Sequence, residues 1–221
     1  MITLDIDLVS DIVCPWCAIG LARLQQATDR LDDIECRLHW HPFVLNPDIG
    51  PEGRDMVQHL AAKYGKTPDE VRESQQQIIA TAAESGLNFE RAAERRSWNT
   101  FDVHRVLHEA REAGVDQAFN EQLFDVYFRE AADPTDPALL REIGMALGMD
   151  ASQIDEILAG ERHADAVRAE IDYYQQLGVT AVPSFVVAER YLISGAQPPE
   201  VLADALRQIA AELTDEAGSP A

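Results

Sequence analysis

Two cysteines three positions apart, Cys14 and Cys17, carry the clearest chemical signal in the sequence. They follow an alternating apolar run that predicts a half-buried strand and precede leucines with helical spacing. Pro15 suits the first turn of that helix, where its missing N–H has no partner in any case. Cys14 therefore lies at a helix N-terminus, where orphan N–H groups and the helix dipole stabilise a thiolate. Cys17, one turn further on, can close a disulfide and release a bound thiol, so the spacing predicts a redox-active dithiol.

A structural zinc site is the alternative interpretation of this pair. Cys36 and His39 would supply two further ligands with a passable zinc spacing. However, Cys36 belongs to an alternating apolar run that predicts a strand, and His39 has the opposite phase, so the two would point to opposite faces. The stiff, bulky Pro15-Trp16 pair also fits poorly inside a zinc turn. The pattern favours redox chemistry, and we predict no metal ligands.

The composition limits the classes of protein and of partner. The chain has 221 residues with 46% hydrophobic content, enough for one large domain or a domain with an insertion. The formal charge of −21 disfavours nucleic acid and anionic membranes as partners. The N-terminus lacks a basic region followed by a hydrophobic core, and no apolar stretch approaches spanning length, so we expect a cytoplasmic protein. Three cysteines do not make a disulfide scaffold.

The predicted elements run β-α-β, then a block of helices, then β-β-α. Their predicted limits are strand 2–9, helix 15–31, strand 34–40, a nearly all-helical region 54–177, a hairpin from 184–187 and 191–193, and helix 198–213. Neither strand-rich fragment can bury its own sheet faces, so the two are expected to form one unit around a helical insertion. The predicted divisions are 1–48 and 161–213 for the two parts of that unit, 49–160 for the insertion, and 214–221 for a disordered tail.

Several motifs in this order resemble the DsbA-type thioredoxin superfamily, and more narrowly its FrnE-type cytoplasmic branch. They are Cys14-Pro15-Trp16-Cys17, Phe43-Val44-Leu45-Asn46-Pro47, Asn99-Thr100-Phe101-Asp102-Val103-His104-Arg105, Gly178-Val179-Thr180-Ala181-Val182-Pro183-Ser184-Phe185 and Ser194-Gly195-Ala196-Gln197. The resemblance covers residues 1–213. It implies an α/β, thioredoxin-like fold with a mixed sheet and a large all-helical insertion.

The resemblance also implies a set of residues around the cysteines. It places a cis peptide bond between Val182 and Pro183 against the dithiol, which would leave the Val182 backbone free to pair with an extended substrate. An ordinary trans proline at the start of an edge strand is the alternative. The resemblance places Asn99 and His104 at the border of the substrate cleft. Trp16 is expected to lie exposed beside the reactive sulfur or to pack locally.

Three polar side chains have more than one interpretation. Asp11, three residues before Cys14, either tunes the cysteine pair or caps the turn. His104 and His108, spaced i, i+4 on one helix, either hold a metal ion or have a solvated or capping role, and their sequence neighbours favour the second.

The sequence thus predicts a thiol–disulfide oxidoreductase of the DsbA type. Cys14 would form a mixed disulfide, Cys17 would resolve it, and Pro15 and Trp16 would set the redox poise. We expect no cofactor, with glutathione or another low-molecular-weight thiol as a co-substrate. The expected partners are protein or small-molecule thiols and disulfides, and the expected state is a monomer or homodimer. The alternatives are a glutathione-dependent isomerase of the 2-hydroxychromene-2-carboxylate type, whose members typically carry serine at the first cysteine position, and a client-binding accessory protein without turnover.

Overall fold

A four-stranded mixed sheet forms the centre of the computed structural model, which describes residues 2–218. The strands are β1 (Ile2–Ser10), β2 (Ile34–Pro42), β3 (Arg54–Asp55), β4 (Arg96–Ser97), β5 (Ser184–Val187) and β6 (Tyr191–Ser194). The central sheet has the order β2-β1-β5-β6, and β3 and β4 form a separate two-stranded pair. β1 is parallel to β2 and antiparallel to β5, and β5 and β6 form an antiparallel hairpin. The predicted βαβ unit and the predicted hairpin are both confirmed.

Helices occupy most of the remaining described chain. They are α1 (Pro15–Thr28), α2 (Met56–Tyr64), α3 (Pro68–Glu84), α4 (Phe101–Glu112), α5 (Asp116–Glu130), α6 (Pro137–Ala146), α7 (Ala151–Ala159), α8 (Ala164–Gln176) and α9 (Pro199–Gly218). None of the helices within residues 2–218 combines the length and the apolar composition that a membrane span requires. The predicted divisions of the chain at residues 48/49 and 160/161 stay predictions.

The alternation along β1 decides what covers each face of the sheet. Leu4, Ile6 and Leu8 are buried in the main core, on the side where α1 packs against α9. On the opposite side Val9 belongs to a smaller apolar cluster with Tyr174 of α8. The Tyr174 hydroxyl donates a hydrogen bond to Asp7 Oδ2 at 2.9 Å, which ties α8 to this face.

Local capping residues mark several helix starts. Thr67 and Glu70 form a capping box in front of α3, with Pro68 at the first helical position. Asp136 and Asp150 accept hydrogen bonds from the first turns of α6 and α7. These helices begin where side chains can satisfy backbone N–H groups that have no partner inside the helix.

Residues 85–100 interrupt the nearly all-helical region, because β4 pairs with β3 and Tyr127 Oη donates a hydrogen bond to the Arg96 carbonyl at 2.7 Å. Two predicted limits were wrong. α1 ends at Thr28 rather than at residue 31. The tail was predicted to be disordered over 214–221, but α9 continues to Gly218, and an ion pair between Arg190 and Glu216 anchors its last turns. Residues 219–221 lie outside the described residues.

Candidate active site at the Cys14–Cys17 dithiol

The turn between β1 and α1 places both cysteines as the sequence predicted. Cys14 is the N-cap residue of α1 with extended backbone angles, and Pro15 occupies the first turn. The Cys14 N–H donates to the Asp11 carbonyl at 3.0 Å, and the Cys17 N–H donates to the Cys14 carbonyl at 3.1 Å. Both cysteines are free thiols in the structure. Cys14 is 5% exposed and Cys17 is fully buried, so only Cys14 is accessible to a substrate.

The two thiols differ in electrostatic environment. Burial, followed by the hydrogen bond and charge of the neighbouring Cys14, raises the pKa of Cys17 well above its ordinary value. The Cys14 Sγ lies 3.7 Å from the Val182 carbonyl oxygen and borders a cavity. Cys14 is therefore placed to meet a substrate, and Cys17 is placed behind it.

The segment that faces Cys14 comes from the other end of the chain. The Val182–Pro183 peptide bond is cis, and Val182 lines the cavity with the cysteine. Helix α1 approaches this segment at Gly20, where an added Cβ would lie 2.8 Å from Pro183 Cγ. A glycine at this position allows the helix that carries the cysteines to pack directly on the proline ring.

Asp11 connects the cysteine turn to two distant segments. It is fully buried, and its carboxylate accepts hydrogen bonds from Val13 N at 3.3 Å, Leu45 N at 2.7 Å and Thr100 Oγ1 at 2.8 Å. Burial raises its pKa, although the His104 charge and these hydrogen bonds act in the opposite direction. The capping role is present in the bond to Val13, but sequence reasoning missed the two long-range bonds because they involve residues 34 and 89 positions away.

Asn99 and His104 support the wall of the cavity from behind. Asn99 Nδ2 donates to the Pro47 carbonyl at 2.8 Å, and its Oδ1 accepts from the Phe101 N–H at the start of α4. His104 is buried rather than solvated, with Nε2 at 3.0 Å from the Phe43 carbonyl oxygen, and burial lowers its pKa. Among the described side chains, neither Asn99 nor His104 lines the cavity. Both hold the loop that includes Phe43 and Pro47.

The cavity beside Cys14 has a volume of about 620 Å³. Its apolar surface comes from the cysteine turn, which includes the exposed Trp16, from the loop after β2, from α2 and α3, and from the segment before β5. The residues are Val13, Pro15, Trp16, Phe43, Val44, Leu45, Met56, Leu60, Val71, Ile78, Ala181 and Val182. Three cationic residues, Lys63, Lys66 and Arg95, also line it. Sequence reasoning missed these cations, although both lysines of the chain stand only three positions apart.

The predicted zinc alternative does not assemble. Cys36 lies on β2 and packs against the main core, whereas His39 is exposed on the same strand, 3.1 Å from Asp5 Oδ1. Within residues 2–218, Cys14, Cys17, Cys36 and His39 do not form a cluster of metal-binding size. The opposite phases of the strand positions separate the side chains, as the alternation predicted.

A polar network on the opposite side of the sheet joins β2, α4 and α8. Glu170 lies 2.9 Å from Arg111 Nη1, 3.0 Å from His41 Nδ1 and 3.1 Å from His108 Nδ1. Burial alone would raise the pKa of Glu170, but the hydrogen bonds from Arg111 and His41 lower it to about 2. These two partners keep the carboxylate ionised and hold α8 against the sheet.

Comparison with known proteins assigns this arrangement to a family. Residues 5–207 match the DSBA-like thioredoxin domain. The chain belongs to this family. A probable DsbA oxidoreductase from Streptomyces coelicolor is 33% identical, with a TM-score of 0.87 over 99% of this chain and 92% of that chain. The DsbA-like, thioredoxin-like fold with a helical insertion is thereby confirmed.

Two more distant structures share the fold of this DsbA-like protein. The cytosolic disulfide reductase DsbM from Pseudomonas aeruginosa, in a structure with GSH, is 17% identical, with a TM-score of 0.62 over 93% of this chain and 98% of that chain. A 2-hydroxychromene-2-carboxylate isomerase is 14% identical, with a TM-score of 0.70 over 96% of this chain and 98% of that chain. These two likenesses show the shared fold, and the family itself indicates oxidoreductase chemistry in general terms.

Proposed function

We propose that this DsbA-like protein is a thiol–disulfide oxidoreductase whose reactive pair is Cys14 and Cys17. The observation that carries the proposal is the position of the Cys14 Sγ at the border of the cavity, 3.7 Å from the Val182 carbonyl, with Cys17 buried behind it. An accessible first thiol and a shielded second thiol are the arrangement that mixed-disulfide exchange requires.

The proposed reaction proceeds in two exchanges. The Cys14 thiolate attacks one sulfur of a substrate disulfide, the S–S bond breaks, and the first substrate thiolate leaves with the electron pair. The Cys17 thiolate then attacks Cys14 Sγ, which releases the second substrate thiolate and leaves the Cys14–Cys17 disulfide. The substrate is reduced by two electrons and the enzyme is oxidised by two. Since burial raises the pKa of Cys17, the second exchange limits the rate at low pH.

Low-molecular-weight thiols and disulfides, of which glutathione is one, are the proposed substrates, with protein disulfides as the alternative. A cavity of about 620 Å³ falls within the range of roughly 300–1,000 Å³ that small-molecule sites occupy. The DsbM structure with GSH supports this choice by analogy of fold. We propose a cytoplasmic location, as the resemblance to the FrnE-type branch implies, and net reduction of substrates, because the cytosol keeps thiols reduced. Because Trp16 lacks the charge-assisted contact of a histidine, the pair should be less oxidising than one near −120 mV.

A redox titration tests the proposal. Trp16 fluorescence should follow a reversible two-electron transition as the glutathione ratio changes, and Cys14→Ser or Cys17→Ser should abolish it. Cys36→Ser is the matched control, since this third cysteine lies on β2 away from the cavity and should leave the transition unchanged. Glutathione should also remain bound to the Cys17→Ser variant as a mixed disulfide detectable by mass.

Two results would overturn the proposal. The first is a pair of thiols that stay free at every glutathione ratio. The second is 2-hydroxychromene-2-carboxylate isomerase activity that survives Cys17→Ser, which would favour the isomerase alternative instead.

A further inference from the structure

We propose that Arg95, Lys63 and Lys66 form an anion-binding subsite in the Cys14 cavity, which selects small disulfides that carry carboxylate groups. The inference rests on the proposed oxidoreductase function and adds the chemical class of the substrate. Within the described part of the chain, three cationic side chains and no aspartate or glutamate line the cavity. This composition is the reverse of the whole chain, in which 39 acidic residues outnumber 18 basic ones.

Arg95 is a buried cation without an acidic partner among the described residues. It is 4% exposed, and its guanidinium bonds only neutral groups, with Nη2 at 2.8 Å from Gln75 Oε1 and Nη1 donating to the Ala92 carbonyl. Its Nε has no hydrogen-bond partner, and no carboxylate within residues 2–218 lies within 4.0 Å of it. By contrast, the equally buried Arg105 pairs with Asp102 at 2.8 Å. Buried charges are normally paired, so Arg95 retains the capacity for an anion.

The two lysines, which line the same cavity, repeat this pattern. Lys63 Nζ donates to the Leu45 carbonyl at 2.9 Å and lies 3.3 Å from Asn46 Oδ1. Lys66 Nζ lies 3.3 Å from Ser74 Oγ. Neither ammonium group forms an ion pair with a carboxylate of the described chain. Both lysines of an acidic protein therefore line the cavity of its reactive thiol without an ion pair to a described carboxylate, although the Lys66 charge also acts on the exposed Glu70 carboxylate.

The geometry favours a small anion over an acidic protein surface. Arg95 lines the cavity but is only 4% exposed, so a terminal carboxylate on a narrow ligand can reach the guanidinium more easily than a folded chain can. The apolar residues of α2 and α3 would cover the aliphatic part of the ligand. A disulfide with carboxylates at its ends thus matches a cavity that contains both Cys14 and three cations.

Single-turnover kinetics with two disulfides test this subsite. Reduced protein is mixed with glutathione disulfide, which is anionic, or with bis(2-hydroxyethyl) disulfide, which is neutral, and Trp16 fluorescence reports oxidation. Each second-order rate constant is divided by that of dithiothreitol with the same disulfide, to remove intrinsic reactivity. The natural protein should favour the anionic substrate by at least about tenfold, since hydrogen bonds to charged groups are the strong ones.

Substitutions separate the subsite from the chemistry. Arg95→Met and the double variant Lys63→Met/Lys66→Met should each lower the rate with glutathione disulfide by about tenfold and leave the neutral rate unchanged. Arg72→Met on α3 is the matched control, because this exposed arginine pairs with Asp69 and does not line the cavity. Both lysines are exposed, so their substitution should leave the fold intact. The double variant therefore tests the anion-binding subsite even if Arg95→Met does not fold.

Three outcomes would overturn the subsite proposal, and each differs from a failure of the proposed function. Equal normalised rates for the two disulfides in the natural protein would do so, as would a loss in the variants that affects both substrates equally. A large acidic peptide disulfide that reacts as fast as glutathione disulfide would refute the preference for small ligands. Absence of reaction with either disulfide would instead refute the oxidoreductase function itself.

A different cluster indicates a divalent-cation site, and we infer that His108, Glu112 and His163 bind an ion such as Zn²⁺. One donor atom from each of the three side chains lies within 4.8 Å of the others. His108 and Glu112 share one face of α4, and His163 is the N-cap residue of α8. Two imidazoles and one carboxylate are a normal set of protein ligands for Zn²⁺, with a fourth position left for water.

Both histidines are already oriented by carboxylates. His108 Nδ1 lies 3.1 Å from Glu170 Oε1, and His163 Nε2 lies 2.6 Å from Glu109 Oε2. A proton on each of these nitrogens leaves the lone pair of the other nitrogen for a metal, as in carboxylate–histidine–metal arrangements. Arg111 Nη2 also lies 2.8 Å from His108 Nδ1, but it lies closer, at 2.5 Å, to Glu170 Oε1 and donates its hydrogen bond to that carboxylate. The proton on His108 Nδ1 can therefore remain.

Metal titration of the oxidised protein tests the site without thiolate competition from the dithiol. Calorimetry with Zn²⁺ should show one equivalent bound, and Glu112→Gln should weaken binding by about tenfold or more. Glu112 is 56% exposed in its side chain, so this change removes a ligand without disturbing the buried pairs. His39→Gln, at an exposed histidine of β2, is the control and should bind as the natural protein does. Absence of Zn²⁺ binding, or binding unchanged by Glu112→Gln and His108→Gln, would overturn the inference.

Discussion

The carboxylate of Asp11 provides the sharpest test of how the site is held together. Asp11→Ala leaves the buried Thr100 hydroxyl and the Leu45 N–H without an acceptor. Each buried donor left unsatisfied costs about 1–3 kcal/mol, and removal of a buried charge offsets part of this sum. We therefore expect Asp11→Ala to lower the free energy of unfolding by about 2–4 kcal/mol.

Asp11→Asn is the matched comparison because it keeps the shape. The carbonyl of the substituted side chain can accept from the Leu45 N–H, and its amide can donate to the Thr100 hydroxyl, which is able to act as an acceptor. Only the weaker contact with the Val13 N–H, at 3.3 Å, loses its acceptor. The expected cost at pH 7 is therefore about 1 kcal/mol or less, since the buried charge is also removed.

The pH dependence of this comparison has a definite sign. Burial raises the pKa of Asp11 above 3.8 in the folded protein. The folded state then binds more protons than the unfolded state in the range between 3.8 and the raised pKa, so Asp11 stabilises the fold more as the pH falls through that range. The Asn variant lacks this gain. Asp11→Asn should therefore cost more stability near pH 4 than near pH 8.

Urea unfolding of the three proteins measures these differences. The midpoints should shift with the slope unchanged, so that the shifts report stability alone. An Asn variant as unstable as the Ala variant would refute the hydrogen-bond reasoning. A pH trend of the opposite sign would refute the raised pKa.

Three further predictions concern Gly20 beside the dithiol, the Glu170 network on the other side of the sheet, and the pKa of Cys17. Gly20→Ala should lower the free energy of unfolding by up to about 2 kcal/mol and slow disulfide exchange, because overpacking against Pro183 outweighs the roughly 1 kcal/mol gain in helix propensity. Unchanged unfolding midpoints and exchange rates would contradict this prediction. Glu170→Gln should lower the free energy of unfolding by about 2 kcal/mol at pH 7, because it weakens the ion pairs of this side chain. In the natural protein, the stability that the lowered Glu170 pKa provides should disappear as the pH falls from 4.5 towards 2. Urea unfolding across this pH range measures both effects. The mixed disulfide between Cys14 and glutathione should accumulate at low pH and disappear as the pH rises, because Cys17 has a raised pKa and resolves the mixed disulfide only as a thiolate. Mass analysis of quenched samples measures this, and the absence of a pH trend would contradict the reasoning.

The sequence by itself determined the elements whose causes are local. The alternation in β1, the proline after Cys14 and the capping box at Thr67 each act within a few residues, and the structure has the expected elements there. The order of the motifs along the chain was sufficient to indicate the family, because the cysteine pair comes first and the Val182-Pro183 segment follows the helical region, as in other members of the family. Local reasoning did not find the β3–β4 pair and ended α9 at residue 213, because pairing with distant residues decides the conformation in both places.

Tertiary structure alone decided which side chains meet. The three cations of the cavity come from α2, from the segment after it and from the loop before β4, and their common wall exists only after α2 and α3 have packed beside Cys14. His163 likewise reaches His108 across 55 positions of sequence. Periodicity and capping report interactions within one or two turns, whereas burial joins residues at any separation. A sequence therefore indicates the reactive group, and the folded chain determines the electrostatic environment in which that group reacts.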